Sequence, residues 1–198
     1  MEIFFLGLLL LTSIIGVAFI IERGFALRRC RVVPAEVVSA LQACHGPDGL
    51  PTLLRVCEQK SSSLSRLIQT AAEHLGWPKS ETAEAVQARA RQEVVGLERG
   101  LVVLEIVVGI APLLGLVGTV FGMMTLFGSL GQAEVINSSD LAKGISIILT
   151  ATLLGLLIAI PCLIAWNYYN SKIISMTVEM ESLCTEFLRR QYLNRSER

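Results

Sequence analysis

Small and hydroxyl-bearing residues recur at helical spacing within an apolar stretch at residues 106–130, where they could line a path through a membrane. Gly115, Gly118 and Gly122 follow one another at steps of three and four. They therefore share one helix face, along which another helix can approach closely. Thr119 lies four residues after Gly115 and three before Gly122, so its hydroxyl belongs to the same face.

A second apolar stretch carries Ser146, Thr150 and Thr152, with Gly155 three residues after Thr152. Such hydroxyls could line an ion path. Alternatively, serine and threonine inside a helix donate to their own preceding carbonyls and have no further role. For Ser146 and Thr150 both interpretations stay open, whereas small neighbours favour a path-lining role for Thr119 and Thr152.

Ionisable side chains are absent where a membrane interior is expected. Between residues 106 and 139 only Glu134 is charged, and residues 144–171 contain no acid, base or histidine. Work driven by an ion gradient needs a group that gains and loses the ion within the membrane. Glu105 and Asp140 are the nearest acids, and we interpret both as boundary charges rather than proton carriers. A partner would therefore have to supply the titrating group.

Composition places the chain in a membrane. Of the 198 residues, 53% are hydrophobic and only 17% charged, against about 25% charged in soluble domains. The mean hydropathy is +0.60. With 17 basic and 17 acidic residues the net charge is zero, which argues against a nucleic-acid partner. No nucleophile–base pair, phosphate-binding loop or metal-ligand spacing is present, so we predict neither an enzyme nor a catalytic or metal site.

Three stretches are long enough to cross a bilayer, which predicts an all-α integral membrane protein whose long helices extend into a cytoplasmic helical region. Residues 3–21 contain no charge in 19 positions, a length of about 28 Å as a helix. The predicted organisation is a first transmembrane helix (1–22), a cytoplasmic helical region (23–99), a second transmembrane helix (100–130), a short outer loop (131–140), a third transmembrane helix (141–169) and a cytoplasmic helical tail (170–198).

The basic residues predict the orientation. Residues 22–99 and 171–198 hold 16 of the 17 Lys and Arg, and residues 131–143 hold only Lys143. Since Lys and Arg near span ends stay cytoplasmic, we expect the N-terminus outside and the C-terminus inside. A cleaved signal peptide is the alternative for the first stretch, but Glu2 precedes it and no small-residue cleavage site follows.

Within the cytoplasmic region the turn signals predict short helices at about 34–44, 51–59 and 61–75. One helix is then expected from about 80, with Ser80 as N-cap, to about 128, and the third span is expected to continue into the tail. Five cysteines on the reducing side or in a span predict free thiols. Cys44 followed by His45 resembles a metal fragment, but no second ligand pair accompanies it.

Two motifs together resemble a known family. APLLGLVGTVFGM (111–123), followed by LAKGISIILTATLLGLLIAIP (141–161), is similar to the signature of the MotA/TolQ/ExbB family of inner-membrane ion-channel proteins. The preceding segment, LERGLVVLE (97–105), also resembles ExbB and TolQ sequences. The resemblance is close over residues 97–161. In the rest of the chain only the order of the spans and cytoplasmic segments is similar. Three spans are typical of the ExbB/TolQ branch.

The resemblance implies a pentamer in the bacterial inner membrane around the single spans of an ExbD/TolR-type partner, whose intramembrane aspartate carries the ion. The complex would use a proton or sodium gradient, with no cofactor, to energise biopolymer transport or envelope processes. By motif position Thr119 and Thr152 match two pore-facing threonines, and Pro112 matches a helix proline. The glycines Gly115, Gly118, Gly122 and Gly155 would let helices pack around the partner's span.

One position departs from the family pattern. The third span of ExbB-like sequences commonly carries a glutamate five residues before the threonine that matches Thr152, and here that position is Ile147. Thr150 and Ser146 could line a sodium path instead, so the ion stays open. The alternative function is a non-conducting scaffold subunit with the same fold.

Overall fold

The computed structural model describes residues 2–44, 46, 49–130 and 138–196, which form helices and no strand. The all-α prediction is therefore confirmed. The helices in chain order are α1 (Glu2–Ala26), α2 (Arg29–Val32), α3 (Ala35–Ala43), α4 (Leu50–Gln59), α5 (Ser63–Glu73), α6 (Lys79–Glu98), α7 (Leu101–Leu130) and α8 (Ser138–Ser196).

Three of these helices are long and apolar enough to cross a membrane, as predicted. The apolar segments are Phe4–Ala26 of α1, Leu101–Gly128 of α7 and Leu141–Leu193 of α8. Most of their large apolar side chains are exposed on the isolated chain, among them Phe4 and Leu113. Such faces suit lipid tails or neighbouring chains, because water would solvate them poorly.

The chain divides into two compact units. The first unit comprises Met1–Arg23 and Gly100–Tyr168, and therefore holds most of α1, all of α7 and the first half of α8. The second unit comprises Gly24–Arg99 and Tyr169–Arg198, with the short helices, α6 and the rest of α8. The apolar helices that could form a path belong to the first unit.

The single helix expected from about 80 to 128 is in fact two helices, α6 and α7, which are separated at Arg99 and Gly100. Glycine is a poor helix former, and the Arg23 guanidinium fills the space beside it. A Cβ on Gly100 would lie 2.1 Å from Arg23 Nε. The break therefore makes room for an arginine side chain that is only 14% exposed.

The helix start expected at Ser80 is also shifted, because Pro78 is the N-cap of α6. Proline cannot donate from its nitrogen, but its carbonyl accepts from the Thr82 N–H at 3.0 Å and so closes the first turn. The predicted N-cap at Ser80 is therefore wrong.

The other expected helices are present. Helices α3, α4 and α5 match the three predicted short helices closely, α2 was not predicted, and α8 continues unbroken from the third span into the tail. Helix α8 begins at Ser138, three residues before the expected start of the span. Residues 131–137 of the predicted outer loop, with Glu134, and also His45 lie outside the described residues.

The core of the second unit is built from the inward faces of its helices. All five cysteines of the chain are free thiols, and Cys44, Cys57 and Cys184 are buried in this unit. Burial raises the pKa of the Cys57 thiol, which keeps it protonated. The buried apolar side chains of the second unit include Val37, Leu41, Leu53, Leu64, Leu67, Ile68, Ala71, Val86, Ala90, Ile173, Met176, Met180, Phe187 and Leu188.

Hydrogen bonds tie the end of α8 to the turn before α6. The Tyr192 hydroxyl donates to the Trp77 carbonyl at 2.7 Å and lies 2.8 Å from Thr82 Oγ1. Thr82 is fully buried, and its hydroxyl also lies 2.7 Å from the His74 carbonyl oxygen. These bonds satisfy buried polar groups that would otherwise destabilise the fold.

Glu93 joins α5 to α6 through a buried carboxylate, which is only 8% exposed. Arg66 donates to it from Nε at 2.7 Å and from a terminal nitrogen at 2.5 Å, and Arg89, one turn earlier on α6, lies 3.1 Å away. Burial alone would raise the pKa of Glu93. Hydrogen bonds from Arg66 and Ser63, with the positive charges of Arg66 and Arg89, outweigh burial and lower that pKa below its usual 4.5.

We expect Glu93→Gln to lower the melting temperature Tm at pH 7 by roughly 3–8 °C, because a hydrogen bond to a charged group contributes about 1.5–3 kcal/mol. The folded-state pKa lies below the unfolded value, so this stabilisation is full above about pH 4.5 and is lost as the pH falls through the folded pKa. Thermal unfolding of the purified protein at pH 7 and at acid pH measures the difference.

The matched control is Glu84→Gln, since Glu84 is an exposed carboxylate on the same helix. It should change Tm little at either pH. A Glu93→Gln protein with the same Tm as the wild type at pH 7 would contradict a stabilising role of the Arg66–Glu93 pair.

Candidate functional site

Helices α7 and α8 cross at two glycines, where backbone meets backbone. A Cβ on Gly155 would lie 2.6 Å from the Ala111 carbonyl oxygen, and one on Gly115 would lie 2.8 Å from the Ala151 carbonyl oxygen. Both distances are too short for any side chain. The crossing therefore requires glycine on each helix at this level.

The seam between α7 and α8 continues from this crossing along α7 towards its C-terminus. A Cβ on Gly118 would lie 3.2 Å from the Ala151 Cβ, and one on Gly122 would lie 2.7 Å from Ile148 Cγ1. The predicted close approach along these glycines is thus made by α8 of the same chain. Whether they also pack around a partner's span stays a prediction.

Thr152 places a hydroxyl inside the seam. Its Oγ1 donates to the Gly115 carbonyl oxygen at 3.4 Å, which joins α8 to α7. This distance is long, because hydroxyl–carbonyl bonds cluster near 2.7–2.8 Å. The bond is therefore weak, and a modest rotation of the side chain would free the hydroxyl for another acceptor.

The other three predicted hydroxyl residues do not bridge the helices. Thr119 donates to the Leu116 carbonyl at 2.7 Å, and Thr150 donates to the Ser146 carbonyl at 2.9 Å. Both bonds stay within one helix, as the alternative interpretation of these hydroxyls predicts. Ser146 and Thr150 are exposed on the surface of the first unit, and Thr119 is half-buried.

Two apolar cavities flank the seam and separate these threonines. A cavity of about 220 Å³ is lined by α1, α7 and α8 and contains Thr125 and Thr150. A groove of about 520 Å³, formed by α7 and α8 alone, contains Thr119. The structure of the single chain thus brings Thr152 to the seam, and Thr119 and Thr150 to different sides of it.

Prolines interrupt the hydrogen-bond ladders of both helices. Pro112 lies inside α7 and Pro161 inside α8. Because proline has no N–H, the carbonyls of Val108 and Leu157 lose their usual helical donor. Pro112 immediately follows Ala111, whose carbonyl Gly155 approaches, so it lies at the crossing itself.

Charge is confined to the ends of the candidate path. Glu105 is exposed near the start of α7, and Lys143 is exposed near the start of α8. Ile147 is 60% exposed and lines the cavity that contains Thr150. In the part of the chain that the structure describes, no three His, Cys, Asp or Glu residues cluster as metal ligands.

Sequence reasoning missed several residues of the seam. Ala151 and Ile148 supply the surfaces that Gly115, Gly118 and Gly122 face, and a Cβ on Gly144 would lie 2.7 Å from a methyl group of Leu126. Gly144, Ile148, Ala151 and Gly155 follow one another at steps of four, three and four. This spacing is the same signal that was recognised on α7, and it could have revealed the facing stripe on α8.

The sequence pattern of the MotA/TolQ/ExbB proton channel family matches residues 59–182, which include all of α6 and α7 and most of α8. The chain belongs to this family. The match contains the whole α7–α8 seam and both prolines, so the seam lies in the part of the chain that defines the family.

Individual relatives support the same family assignment. The chain is 27% identical to an ExbB-like biopolymer transport protein of Synechocystis over 80% of its own length and 77% of the relative's. It is 25% identical to the biopolymer transport protein ExbB of Neisseria meningitidis, over 89% and 85% of the two chains. It is 30% identical to the Tol-Pal system protein TolQ of Pseudomonas aeruginosa, over 66% and 57%. These relatives place the chain in the ExbB/TolQ branch, among membrane transport subunits.

We expect Gly155→Ala to lower Tm by several degrees, because the added methyl would push α8 away from the backbone of α7 and overpacking typically costs about 1–3 kcal/mol. Thermal unfolding in detergent measures the effect. Gly109→Ala is the matched control on α7, since a Cβ there would meet nothing within 4 Å. It should leave Tm unchanged or slightly higher. An equal change of Tm in the two variants would contradict the backbone contact between α7 and α8.

Proposed function

We propose that the chain is the pore-wall subunit of an inner-membrane motor driven by an ion gradient. Family membership supports a motor-associated transport subunit. The observation that carries the finer proposal is the Thr152 hydroxyl, which lies in an uncharged seam between two apolar helices and donates a long hydrogen bond to the Gly115 carbonyl.

The proposed mechanism divides the chemistry between two proteins. A carboxylate on the single span of an ExbD/TolR-type partner carries the ion, and this chain supplies hydroxyl groups and a water-holding surface around it. A hydroxyl can both donate to a carboxylate and accept from water. Thr152 would leave the Gly115 carbonyl and bond to the partner's carboxylate when that group is charged. No cofactor takes part, and no catalytic step is assigned to the chain.

The proposed assembly is a pentamer around two partner spans. The exposed apolar faces of α7 and α8 support it, because a lone chain leaves them without protein neighbours. The groove that contains Thr119 is one surface that a neighbouring helix would fill. Thr119, now bonded within its own helix, would then line the path beside Thr152.

A non-conducting scaffold is the second candidate function. Its supporting observation is Ile147, an exposed apolar residue where the family pattern commonly has an acid. A relay through an acid at this position is therefore excluded, and a scaffold would need none. The two candidates differ in one measurable property, which is partner-dependent ion flux.

We expect Thr152→Val to reduce partner-dependent ion flux in proteoliposomes by roughly 10- to 100-fold, because valine keeps the side-chain shape but loses a hydrogen bond to a charged group. Thr152→Ser should retain most of the flux. Flux is measured with a pH-sensitive dye under a proton gradient and a sodium-sensitive dye under a sodium gradient, which also identifies the ion. The native mass of the complex should stay that of five copies plus two partners.

Thr12→Val is the control, since the Thr12 hydroxyl donates to the Leu8 carbonyl within α1. Its flux should equal that of the wild type. Full flux in Thr152→Val would refute the pore-wall role, and absence of flux from an assembled wild-type complex would favour the scaffold.

The proposed orientation has the N-terminus outside and the second unit in the cytoplasm, which the distribution of Lys and Arg supports. Cys30 is exposed, so a membrane-impermeant maleimide should label it in inverted vesicles and not in spheroplasts. In a Cys30→Ser background, Ser139→Cys should show the opposite pattern. Labelling of Cys30 in spheroplasts would reverse the orientation.

A further inference from the structure

The cavity of about 220 Å³ between α1, α7 and α8 contains neither Thr119 nor Thr152, so the proposed ion path leaves it unused. Each helix contributes to its wall, with Leu9 from α1, Phe121 from α7 and Ile148 from α8. Leu9 and Ile148 are buried. Every lining residue belongs to the first unit. The cavity is therefore formed by a single chain and needs no second copy.

Two aromatic rings form one part of the wall. The Phe5 and Phe121 ring centroids are 5.8 Å apart, and the ring planes are inclined by 41°. Aromatic rings favour offset or edge contacts with further rings at such distances. The wall therefore offers a flat ring more than the apolar contact that aliphatic side chains alone would give.

The hydroxyl groups in the wall have their hydrogens engaged elsewhere. Thr125 donates to the Phe121 carbonyl at 3.0 Å, and Thr150 donates to the Ser146 carbonyl at 2.9 Å. Among the lining residues that the structure describes, none is charged. A water molecule inside a protein needs about two to four polar partners. The cavity thus suits an apolar occupant better than water.

The rim of the cavity opens on the apolar surface of the first unit. Leu6 and Ile147 lie at the rim and are 47% and 60% exposed. Phe5 is the second residue of the apolar segment of α1, and Thr125 lies three residues before Gly128, the last residue of the apolar segment of α7. A molecule dissolved in the lipid can therefore enter from the side of the helices.

We propose that this cavity binds a small uncharged aromatic molecule of the size of benzene or toluene. An apolar cavity of about 150 Å³ is large enough for benzene, so this one has room for a ring with a short alkyl substituent. A rigid ring loses little conformational entropy on binding, whereas a flexible acyl chain loses more. Gly122 and Ile148, which meet across the α7–α8 seam, also line the cavity. The bound ring would therefore contact the seam itself.

The test titrates full-length protein in detergent with fluorobenzene and follows the fluorine NMR line width, with protein-free micelles as reference. Binding to the protein should saturate at one molecule per chain and be displaced by toluene. Thr125→Phe should bind fluorobenzene roughly tenfold or more weakly, because its own ring would occupy the closely packed space. Val117→Phe is the matched control, since Val117 is exposed on α7 and lies outside the cavity. It should bind like the wild type.

A second variant changes the size of the cavity in the opposite direction. Leu9→Ala removes a buried side chain from the wall and should bind naphthalene roughly tenfold more tightly than the wild type does, because the space left behind extends the cavity. Leu10→Ala, at a 64% exposed position outside the cavity, should leave naphthalene binding unchanged. Circular dichroism confirms that each variant keeps its helices.

Four outcomes would overturn the proposal. Fluorobenzene binding that does not saturate would show simple partition into the micelle. Equal weakening in Thr125→Phe and Val117→Phe, or equal naphthalene binding in Leu9→Ala and the wild type, would place the bound ring outside the cavity. Displacement of fluorobenzene by dioleoyl phosphatidylcholine would assign the cavity to an acyl chain.

Discussion

Close backbone contact between α7 and α8 is the constraint on which the first unit depends. Lipid tails are as apolar as leucine, so two helices in a membrane gain little by hiding apolar side chains from their surroundings. They gain instead from close packing. Gly115 and Gly155 permit it, because each lets its helix approach a backbone carbonyl of the other helix. The same contact places the Thr152 hydroxyl within reach of the Gly115 carbonyl. A looser crossing would leave that hydroxyl without this partner on α7.

The sequence predicted the parts of this arrangement that depend on local periodicity. Apolar length predicted three spans, and the spacing of Gly115, Gly118 and Gly122 predicted a close approach. The identity of the approaching helix could not be predicted, since glycine spacing shows that space exists and not what fills it. The direction of the Thr119 hydroxyl could not be predicted either. Threonine at this position is compatible both with a bond to the Leu116 carbonyl and with a hydroxyl that faces a path.

Two further features depend on contacts between residues distant in the chain. The break between α6 and α7 follows from the Arg23 side chain beside Gly100, and no local pattern distinguishes this glycine from Gly96, whose surroundings are open. Arg66 and Glu93 are 27 residues apart, and only the packing of α5 on α6 turns two ordinary charges into a buried bidentate pair. The second unit thus contains a directional charge pair that joins α5 to α6, whereas α7 and α8 of the first unit meet where side chains are absent.

A neutral wall that carries a few hydroxyl groups would suit the proposed motor. A fixed charge beside the path would either hold the ion or repel it, and removing such a charge from water is costly in a membrane. Neutral hydroxyls interact with a carboxylate more weakly, so they can bond and release it as the carboxylate loses and gains its ion. Ile147 extends this neutral character along α8. In the proposed motor, the full change of charge falls on the partner's side chain, and this chain changes what surrounds that side chain.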